Sequence, residues 1–204
     1  MQKKHRRYLL LILFAFVITS IHAQKKNYSR AYVILPEGDT LEGWVKDRSS
    51  GTFIELYSRI RFKSDKARGK RKYGPDEILA YSINGLLYES VPVIEDSEFF
   101  RFTYPVSDAN ERVFLKVITR AEGLTYYHWE YVDGDSNYLD YVPLFYREGY
   151  YEMVRVTQGI LGLKRNKLAS YFSDCPDLVH AIHAKQLDEI YEVYDFYLSH
   201  CMDP

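Results

Sequence analysis

The sequence lacks the short motifs that mark the common catalytic classes. It contains no Gly-x-Ser-x-Gly nucleophile turn, no His-Glu-x-x-His zinc-binding helix and no glycine-rich phosphate loop. It also contains no clear internal repeat and no low-complexity stretch. We therefore assign no catalytic residue, and we predict neither a cofactor nor a metal site.

Long apolar runs are scarce, and the clearest one lies near the N-terminus. Residues 8–18 are apolar, follow a basic segment at residues 3–7 and precede small or polar residues that end in Ala23. This is the pattern of a secretory signal peptide, residues 1–23. The run is shorter than the roughly 20 residues of a transmembrane helix, and an uncleaved anchor is the alternative. Gln24 stands where a lipid-anchored precursor has cysteine.

An excess of positive charge is also missing. The chain carries 27 basic and 28 acidic residues, and removing the four basic residues of the leader leaves 23 against 28, a net charge of −5. A nucleic-acid partner is therefore not expected. No later segment is apolar enough to cross a bilayer. We expect a periplasmic or secreted protein with no transmembrane segment once the leader is removed.

Tyrosine, in contrast, is abundant, with 20 of 204 residues, and most of these lie in strand-like runs. About ten such runs are separated by turn signals at intervals of roughly 8–12 residues. The clearest signal is Asn84-Gly85, because a two-residue hairpin loop needs the positive φ that Asn and Gly accept. We predict a mainly β fold (α+β) in which residues 24–157 form an antiparallel meander, either a sandwich or a barrel.

The pattern changes after the predicted β-domain. Apolar residues then recur at helical spacing, and the clearest stripe covers residues 187–201. Another helix is predicted to begin at Pro176, with Ser173 or Asp174 as its cap. We predict that residues 158–204 form a small C-terminal helical segment packed on the β-domain.

Cysteine is scarce, and the chain contains only Cys175 and Cys201. An exported chain meets an oxidising compartment, where two thiols pair and stay paired. Cys175 lies at the start of one predicted helix and Cys201 at the end of the next, so an antiparallel helix pair brings them together. We predict a Cys175–Cys201 disulfide. Two free thiols, or a zinc site completed by His180 and His183, are the alternatives.

One predicted strand holds the most promising surface for a ligand. In a strand, Tyr127, Trp129 and Tyr131 share one face, while His128 and Glu130 lie on the other. If His128 and Glu130 face water, the three aromatic rings belong to the core. In the reverse orientation the rings form an exposed platform for a sugar or an apolar partner surface, and they are our candidate ligand-binding residues. A His-Glu pair two residues apart is a weak indication of acid–base chemistry.

Two polar segments have a simple interpretation. Residues 63–77 are rich in lysine and arginine, and we interpret them as an exposed, hydrated loop, with a docking site for an anionic polymer or lipid as the alternative. Residues 133–137 lack the later glycine and glutamate that a calcium-binding EF-hand loop requires. We interpret them as a connection between strands.

Four features stand together in this chain: the leader, the hairpin sequence GDTLEGWV, the segment RKYGPDEI and the DCPDL helix start with its late cysteine. In these features the chain resembles a group of uncharacterised exported proteins of Gram-negative bacteria. The resemblance covers most of the chain after the leader. It implies export and a shared fold, and it implies no particular chemistry.

The sequence favours a non-enzymatic periplasmic or secreted protein that binds a ligand or partner through its β-domain. The reason is the lack of a catalytic motif beside abundant aromatic residues. The candidate partners are a glycan or an envelope protein, and the sequence predicts no oligomeric state. A hydrolase acting on glycan or cell-envelope material is the alternative, and a structural envelope factor is another.

Overall fold

The computed structural model describes the chain over residues 28–49, 54–99, 101–121 and 123–202. The side chain of Ile160 is not part of this description. The predicted leader, residues 1–23, lies outside the described residues.

The described residues are mostly β, with an antiparallel twelve-stranded sheet followed by three small helices, as the sequence predicts. The strands are β1 (Ser29–Ile34), β2 (Thr40–Arg48), β3 (Leu56–Ser64), β4 (Arg71–Tyr73), β5 (Ala80–Ile83), β6 (Leu86–Pro92), β7 (Asp96–Glu98), β8 (Arg101–Pro105), β9 (Arg112–Ala121), β10 (Leu124–Val132), β11 (Leu139–Arg147) and β12 (Glu152–Arg155). Their order in the sheet is β4-β3-β2-β1-β5-β6-β9-β10-β11-β12-β8-β7. Most neighbours in the sheet are therefore neighbours in sequence, which is the predicted meander.

The loop between β5 and β6 shows how the local sequence sets this meander. Asn84 and Gly85 have φ angles of 53° and 80°, in the left-handed region that a two-residue type I′ turn requires. The register that follows pairs Tyr81 with Tyr88, and their rings stack with centroids 4.7 Å apart. The predicted Asn-Gly hairpin is confirmed.

Six strands close into a ring. β6, β9, β10, β11, β12 and β8 are paired in that order, and an antiparallel bridge between Val93 and Val106 joins the chain just after β6 to the chain just after β8. Side chains alternate along each strand, so every second residue points into the ring. The interior is a packed core to which all six strands or their ends contribute, formed by Val91, Val93, Tyr104, Leu115, Tyr127, Val142, Leu144 and Met153. Of the two predicted architectures, this part of the chain adopts the barrel.

Strands β1 to β5 continue the sheet beyond β6 and bury side chains on its opposite face, while β7 pairs with β8 at the other end of the sheet order. Tyr88 and Val91 are three residues apart on β6, so they point to opposite faces. Val91 belongs to the ring core and Tyr88 to a second core. The second core consists of Ala31, Val33, Val45, Ile60, Phe62, Tyr73, Ile78, Tyr81, Ile83 and Tyr88. β6 is thus the wall that the two cores share.

Three helices cover the outer face of the ring: α1 (Arg165–Tyr171), α2 (Pro176–His183) and α3 (Ile190–His200). The predicted apolar stripe is confirmed in part: its member Tyr191 is 54% exposed, and Val193, which lies outside it, is buried. Tyr194 and Tyr197 are buried as predicted. These side chains pack in one core with Tyr126 of β10 and Phe145 of β11. The helical layer is therefore held by the strands beneath it.

One local prediction about α2 is wrong. Pro176 is the first helical residue, as predicted, but Cys175 occupies the cap position, and neither Ser173 nor Asp174 caps the helix. Asp174 instead accepts a hydrogen bond from the buried guanidinium of Arg147 (Nη1–Oδ1, 2.7 Å). A buried cation without a partner costs about 3–5 kcal/mol, whereas a lost cap costs about 1 kcal/mol. The ion pair therefore takes precedence, and it ties the helical layer to β11.

The prediction of a loop over residues 63–77 is only partly right. Residues 71–73 form the edge strand β4, which pairs with β3. Tyr73 is the cause, because its ring is buried and packs against Phe62 with centroids 6.0 Å apart. Its neighbours Arg71 and Lys72 stay exposed, and charged side chains of this kind protect an edge strand from pairing with another chain.

None of the helices within the described ranges combines the length and the apolar character needed to cross a membrane.

Candidate functional site

β10 places the three candidate aromatic residues on the inner side of the ring at different depths. Tyr127 is 4% exposed and Tyr131 is 40% exposed, and Trp129 between them is half-buried. The strand rises out of the ring core towards solvent. The trio therefore follows neither of the two predicted orientations as a whole: Tyr127 belongs to the core, and Tyr131 is exposed.

Tyr127 forms hydrogen bonds with other side chains at the end of the ring next to the β9–β10 hairpin. Its hydroxyl donates to Glu89 (2.6 Å) and accepts from Arg120 (2.9 Å). Arg120 also donates two hydrogen bonds to the carboxylate of Glu89. Burial, followed by Glu89, raises the pKa of Tyr127 above its usual range, so the hydroxyl keeps the proton that it donates. Tyr127 thus lies in the core, while Trp129 and Tyr131 reach the open end.

Trp129 and Tyr131 line a cavity at the open end, which we call the ring mouth. Its volume is about 360 Å³, and its walls are Glu95, Phe102, Trp129, Tyr131, Val142 and Arg155. These residues come from four ring strands and from the segment after β6. A concave, mainly apolar site with a few convergent polar groups at the mouth of a barrel is a usual setting for a small ligand.

The mouth combines aromatic walls with a carboxylate and a guanidinium. Tyr104 lies buried below it, donates to Glu95 (2.8 Å) and meets the ring of Trp129 edge-on at 6.3 Å. Burial, followed by the hydrogen bond to Glu95, raises the pKa of Tyr104 above its usual range, so its hydroxyl stays protonated. Arg155 donates from Nε to the carbonyl of Thr157 (3.0 Å), which fixes the guanidinium at the rim. Glu95 can accept and Arg155 can donate hydrogen bonds to the hydroxyl groups of a ligand.

β9 and β10 separate beside the mouth. Their ladder ends at the pair His128↔Lys116. Beyond that point β9 remains paired with β6 as far as Arg112, and β10 with β11 as far as Val132. A second cavity of about 400 Å³, which we call the fork, opens where the strands diverge, and its walls include Asp47, Arg48, Tyr57, Tyr81, Tyr88, Arg112, Phe114, Trp129 and Glu130.

A network of charged residues crosses the fork. Nη2 of Arg48, at the end of β2, lies 2.9 Å from Oδ2 of Asp47 and 3.0 Å from Oε2 of Glu130. The same nitrogen lies 3.0 Å from the hydroxyl of Tyr88, and Nζ of Lys116 lies 3.4 Å from Oε1 of Glu130. Burial opposes the charge of Arg48, but Asp47, Tyr88 and Glu130 outweigh it and raise the pKa of the guanidinium. The buried carboxylate of Asp47 and the largely buried carboxylate of Glu130 thus balance two cations, as groups removed from water must.

His128 lies beside this network on the outer side of the ring. Its ring stacks on Tyr141 with centroids 3.6 Å apart, and its Nε2 lies 2.8 Å from the hydroxyl of Tyr126. Burial, followed by repulsion from Lys116, lowers the pKa of His128 to about 4, although Glu130 acts in the opposite direction. His128 is therefore neutral at pH 7. Because the imidazole faces Tyr126 and the carboxylate of Glu130 faces the cations, the two side chains do not form an acid–base pair.

The predicted disulfide is confirmed. Cys175 and Cys201 are joined, and their Cα atoms are 5.5 Å apart, within the roughly 4.4–6.8 Å that such a bond spans. Both sulfurs are used in this bond, so the alternatives of two free thiols and of a zinc site with His180 and His183 are wrong. Over the part of the chain that the structure describes, no cluster of three or more His, Cys, Asp or Glu side chains is placed to hold a metal ion.

Sequence reasoning missed most of the mouth and the fork. Glu95 and Phe102 come from short runs with little pattern, and Arg155 from a four-residue strand, and these residues meet β10 only because the ring closes. Asp47 carried a signal, since it shares a strand face with the buried Val45. A carboxylate at a core-facing position needs a buried partner, and Asp47 has one in the fork.

Comparisons with protein-family models, with curated proteins and with solved structures found no match to this chain. The geometry of the site is therefore the basis for a proposed function.

Proposed function

We propose that the protein is an exported, non-enzymatic binding protein that holds a glycan at the ring mouth. The observation that carries this proposal is the set of aromatic walls around the cavity, Phe102, Trp129 and Tyr131, next to Glu95 and Arg155. A sugar ring presents apolar C–H faces that pack on aromatic rings, and its edge carries hydroxyl groups that need donors and acceptors. The mouth offers both kinds of contact.

The exposure and support of these rings favour a binding site that exists before the ligand arrives. Phe102 is 39% and Tyr131 is 40% exposed, so both can be covered by a ligand. Trp129 rests on the ring of Tyr104, and the hydroxyl of Tyr131 donates to Asp140 (3.1 Å). Side chains that are already held in place lose little freedom on binding, which favours affinity.

Export is part of the proposal. The leader pattern in residues 1–23 and the resemblance to exported bacterial proteins support it. The Cys175–Cys201 disulfide suits an oxidising compartment such as the periplasm or the extracellular space. N-terminal sequencing of the protein recovered from the periplasm or medium should begin at Gln24.

The hydrolase alternative draws on the two carboxylates of the fork, Asp47 and Glu130. Both accept hydrogen bonds from Arg48, and Glu130 also pairs with Lys116. Their oxygens are therefore occupied by contacts within the protein. This arrangement favours a role for the pair in joining β2 to β10, and it supports binding over hydrolysis.

The proposal is tested by calorimetric titration of the exported protein with a panel of oligosaccharides. The panel includes neutral chito-, cello-, manno- and galacto-hexaoses and acidic galacturonate and mannuronate oligomers. Trp129→Ala removes a stacking wall and should weaken binding of the recognised glycan about thirtyfold. Trp44→Ala is the matched control, because Trp44 lies on β2, with four strands between it and β10 in the sheet, and it should bind as the wild type does.

Two results contradict the proposal. One is that no glycan in the panel binds. The other is that Trp129→Ala binds as tightly as the wild type and Trp44→Ala. Either result would direct the search towards an envelope protein as the partner.

A further inference from the structure

Three cavities adjoin one another across the sheet. The ring mouth and the fork share Trp129 as a lining residue. The fork in turn shares Leu56, Tyr57 and Ser58, at the start of β3, with a third cavity of about 280 Å³ that we call the basic groove. The three cavities therefore lie next to one another, from the aromatic mouth, past the fork, to the start of β3.

The basic groove presents cations to solvent. Its basic lining residues are Arg59, Arg61 and Lys72, and its acidic lining residue is Glu55. The guanidinium of Arg61 lies over the ring of Tyr57, 4.3 Å from its centroid. Within the described ranges, Arg59 forms an ion pair with Glu77, whereas Arg61 and Lys72 form none. The charges of Arg61 and Lys72 are therefore available to a ligand.

Charge is distributed unevenly over the molecule. Residues 54–73 carry eight basic and two acidic side chains, whereas the chain after the leader has a net charge of −5. The β3–β4 hairpin therefore forms a basic patch on an acidic protein. Such a patch attracts anions over about 10 Å at moderate ionic strength and repels cations.

We infer that the ligand is a linear anionic polysaccharide, a chain of sugar units that carry carboxylates. It lies along the row of cavities, with one sugar face stacked on Trp129 in the mouth and its carboxylates near Arg61 and Lys72 in the groove. The inference rests on the proposed function and adds the length and the charge of the ligand. A single neutral sugar would use the mouth alone and would leave the groove and its cations without a role. A polymer engages both ends at once, which strengthens binding without any new kind of contact.

A layer of anionic lipid is the other common source of negative charge at the cell envelope. A flat membrane surface would meet the exposed tip at residues 65–70, but it would not enter cavities between strands. The concave row, with aromatic walls at one end and cations at the other, fits a flexible chain of sugars. The geometry therefore favours the polysaccharide.

The test compares acidic oligosaccharides with neutral forms of the same backbone. Oligogalacturonate and oligomannuronate, each beside its own methyl ester, are titrated against the exported protein at low and at physiological salt. The better-bound acidic form should bind about tenfold more tightly than its ester at low salt. The preference should shrink as salt rises, because exposed charges are screened.

Two double variants locate the effect. Arg61→Gln with Lys72→Gln should lower the affinity for the acid about tenfold, to the level of its ester, so that the preference disappears. Lys167→Gln with Lys185→Gln removes the same charge from exposed sites in the helical layer and should keep the preference. Circular dichroism and thermal unfolding verify that both variants fold.

The outcomes separate this inference from the proposed function. Equal affinity for acid and ester, with binding still lost in Trp129→Ala, overturns the inference and leaves the proposed function standing. A preference for the acid that survives the Arg61 and Lys72 changes also overturns it. Binding to phosphatidylglycerol vesicles that depends on Arg61 and Lys72, without any preference among the oligosaccharides, would make the groove a membrane contact. If some glycan of the neutral panel binds but no acid or ester does, the inference falls and the proposed function stands. Failure of every acid, ester and neutral glycan to bind removes the proposed function as well.

Discussion

Tyr127 and Tyr131 lie four residues apart on one face of β10, but one is a core residue and the other is exposed at the ring mouth. Tyr127 is buried and shares its hydroxyl between Glu89 and Arg120. Tyr131 is exposed at the mouth and donates to Asp140 at the surface. The strand period alone places both on one face. Their depth depends on how far the strand rises from the ring, which no local pattern encodes.

The first prediction concerns the hydroxyl of Tyr127. Tyr127→Phe leaves Glu89 and Arg120 without their shared partner and should lower the free energy of unfolding by about 1–2 kcal/mol. Affinity for glycan should not change, because the ring stays in the core. Urea unfolding and calorimetry measure the two effects. Tyr131→Phe is the control and should change stability little, since its hydrogen bond is exposed. Loss of binding in Tyr127→Phe at unchanged stability would contradict this assignment.

The second prediction concerns His128. Its pKa of about 4 in the folded protein lies below the 6.5 of a free imidazole. Between these values the unfolded chain binds a proton that the folded chain does not, so the free energy of unfolding falls as the pH drops from 6.5 towards 4. Above about pH 7 His128 is neutral in both states and contributes no pH dependence. Since the ring is partly exposed and screened, the loss should be about 1–2 kcal/mol.

Two measurements check the behaviour of His128. An NMR titration of its ring should give a midpoint near 4. His128→Phe retains a ring to stack on Tyr141 and should show a shallower loss of stability between pH 6.5 and 4 than the wild type. A midpoint near 6.5, with identical pH profiles for the two proteins, would show that the ring is not buried as described.

At the scale of elements, local chemistry predicted most of the hairpins and helices. Asn84-Gly85 specified its turn because few other residue pairs accept that backbone, and the stripe in residues 187–201 specified α3 because its spacing is helical. The edge strand β4 was missed because Tyr73 is its single buried residue. With the charged Arg71 and Lys72 before it, the segment shows no apolar strand pattern. The cap of α2 was assigned wrongly because Asp174 has a distant partner on β11.

The third prediction concerns the disulfide that joins the start of α2 to the end of α3. The bond closes a segment with a sequence separation of 26 residues, which corresponds to about 3–4 kcal/mol in the chain-entropy model. Reduction should therefore lower the urea midpoint of the wild type. The double variant Cys175→Ala with Cys201→Ala should have a lower urea midpoint than the oxidised wild type, and reductant should not change that midpoint. Equal midpoints for the oxidised and reduced wild type would mean that the bond contributes nothing to stability.

At the scale of the whole molecule, the ring depends on the pairing of β12 with β8, which are far apart in sequence, and on a bridge that completes it. The bridge between Val93 and Val106 turns part of a meander into a ring, and the ring brings Phe102 and Arg155 to the side of Trp129. The sequence predicted the meander, but it left sandwich and barrel open because both use the same hairpins. It also pointed to Trp129 and Tyr131, whereas the remaining walls of the mouth depend on closure and have no local signal.

The central claim is that a glycan stacks on Trp129 at the ring mouth, and the emission of that residue tests it most directly. The chain has two tryptophans, so Trp44→Phe leaves Trp129 as the single fluorophore. Titration with the glycan that calorimetry shows to bind should shift its emission to shorter wavelength and saturate at the calorimetric affinity. Emission that stays unchanged at saturating glycan would place the ligand elsewhere and contradict the account.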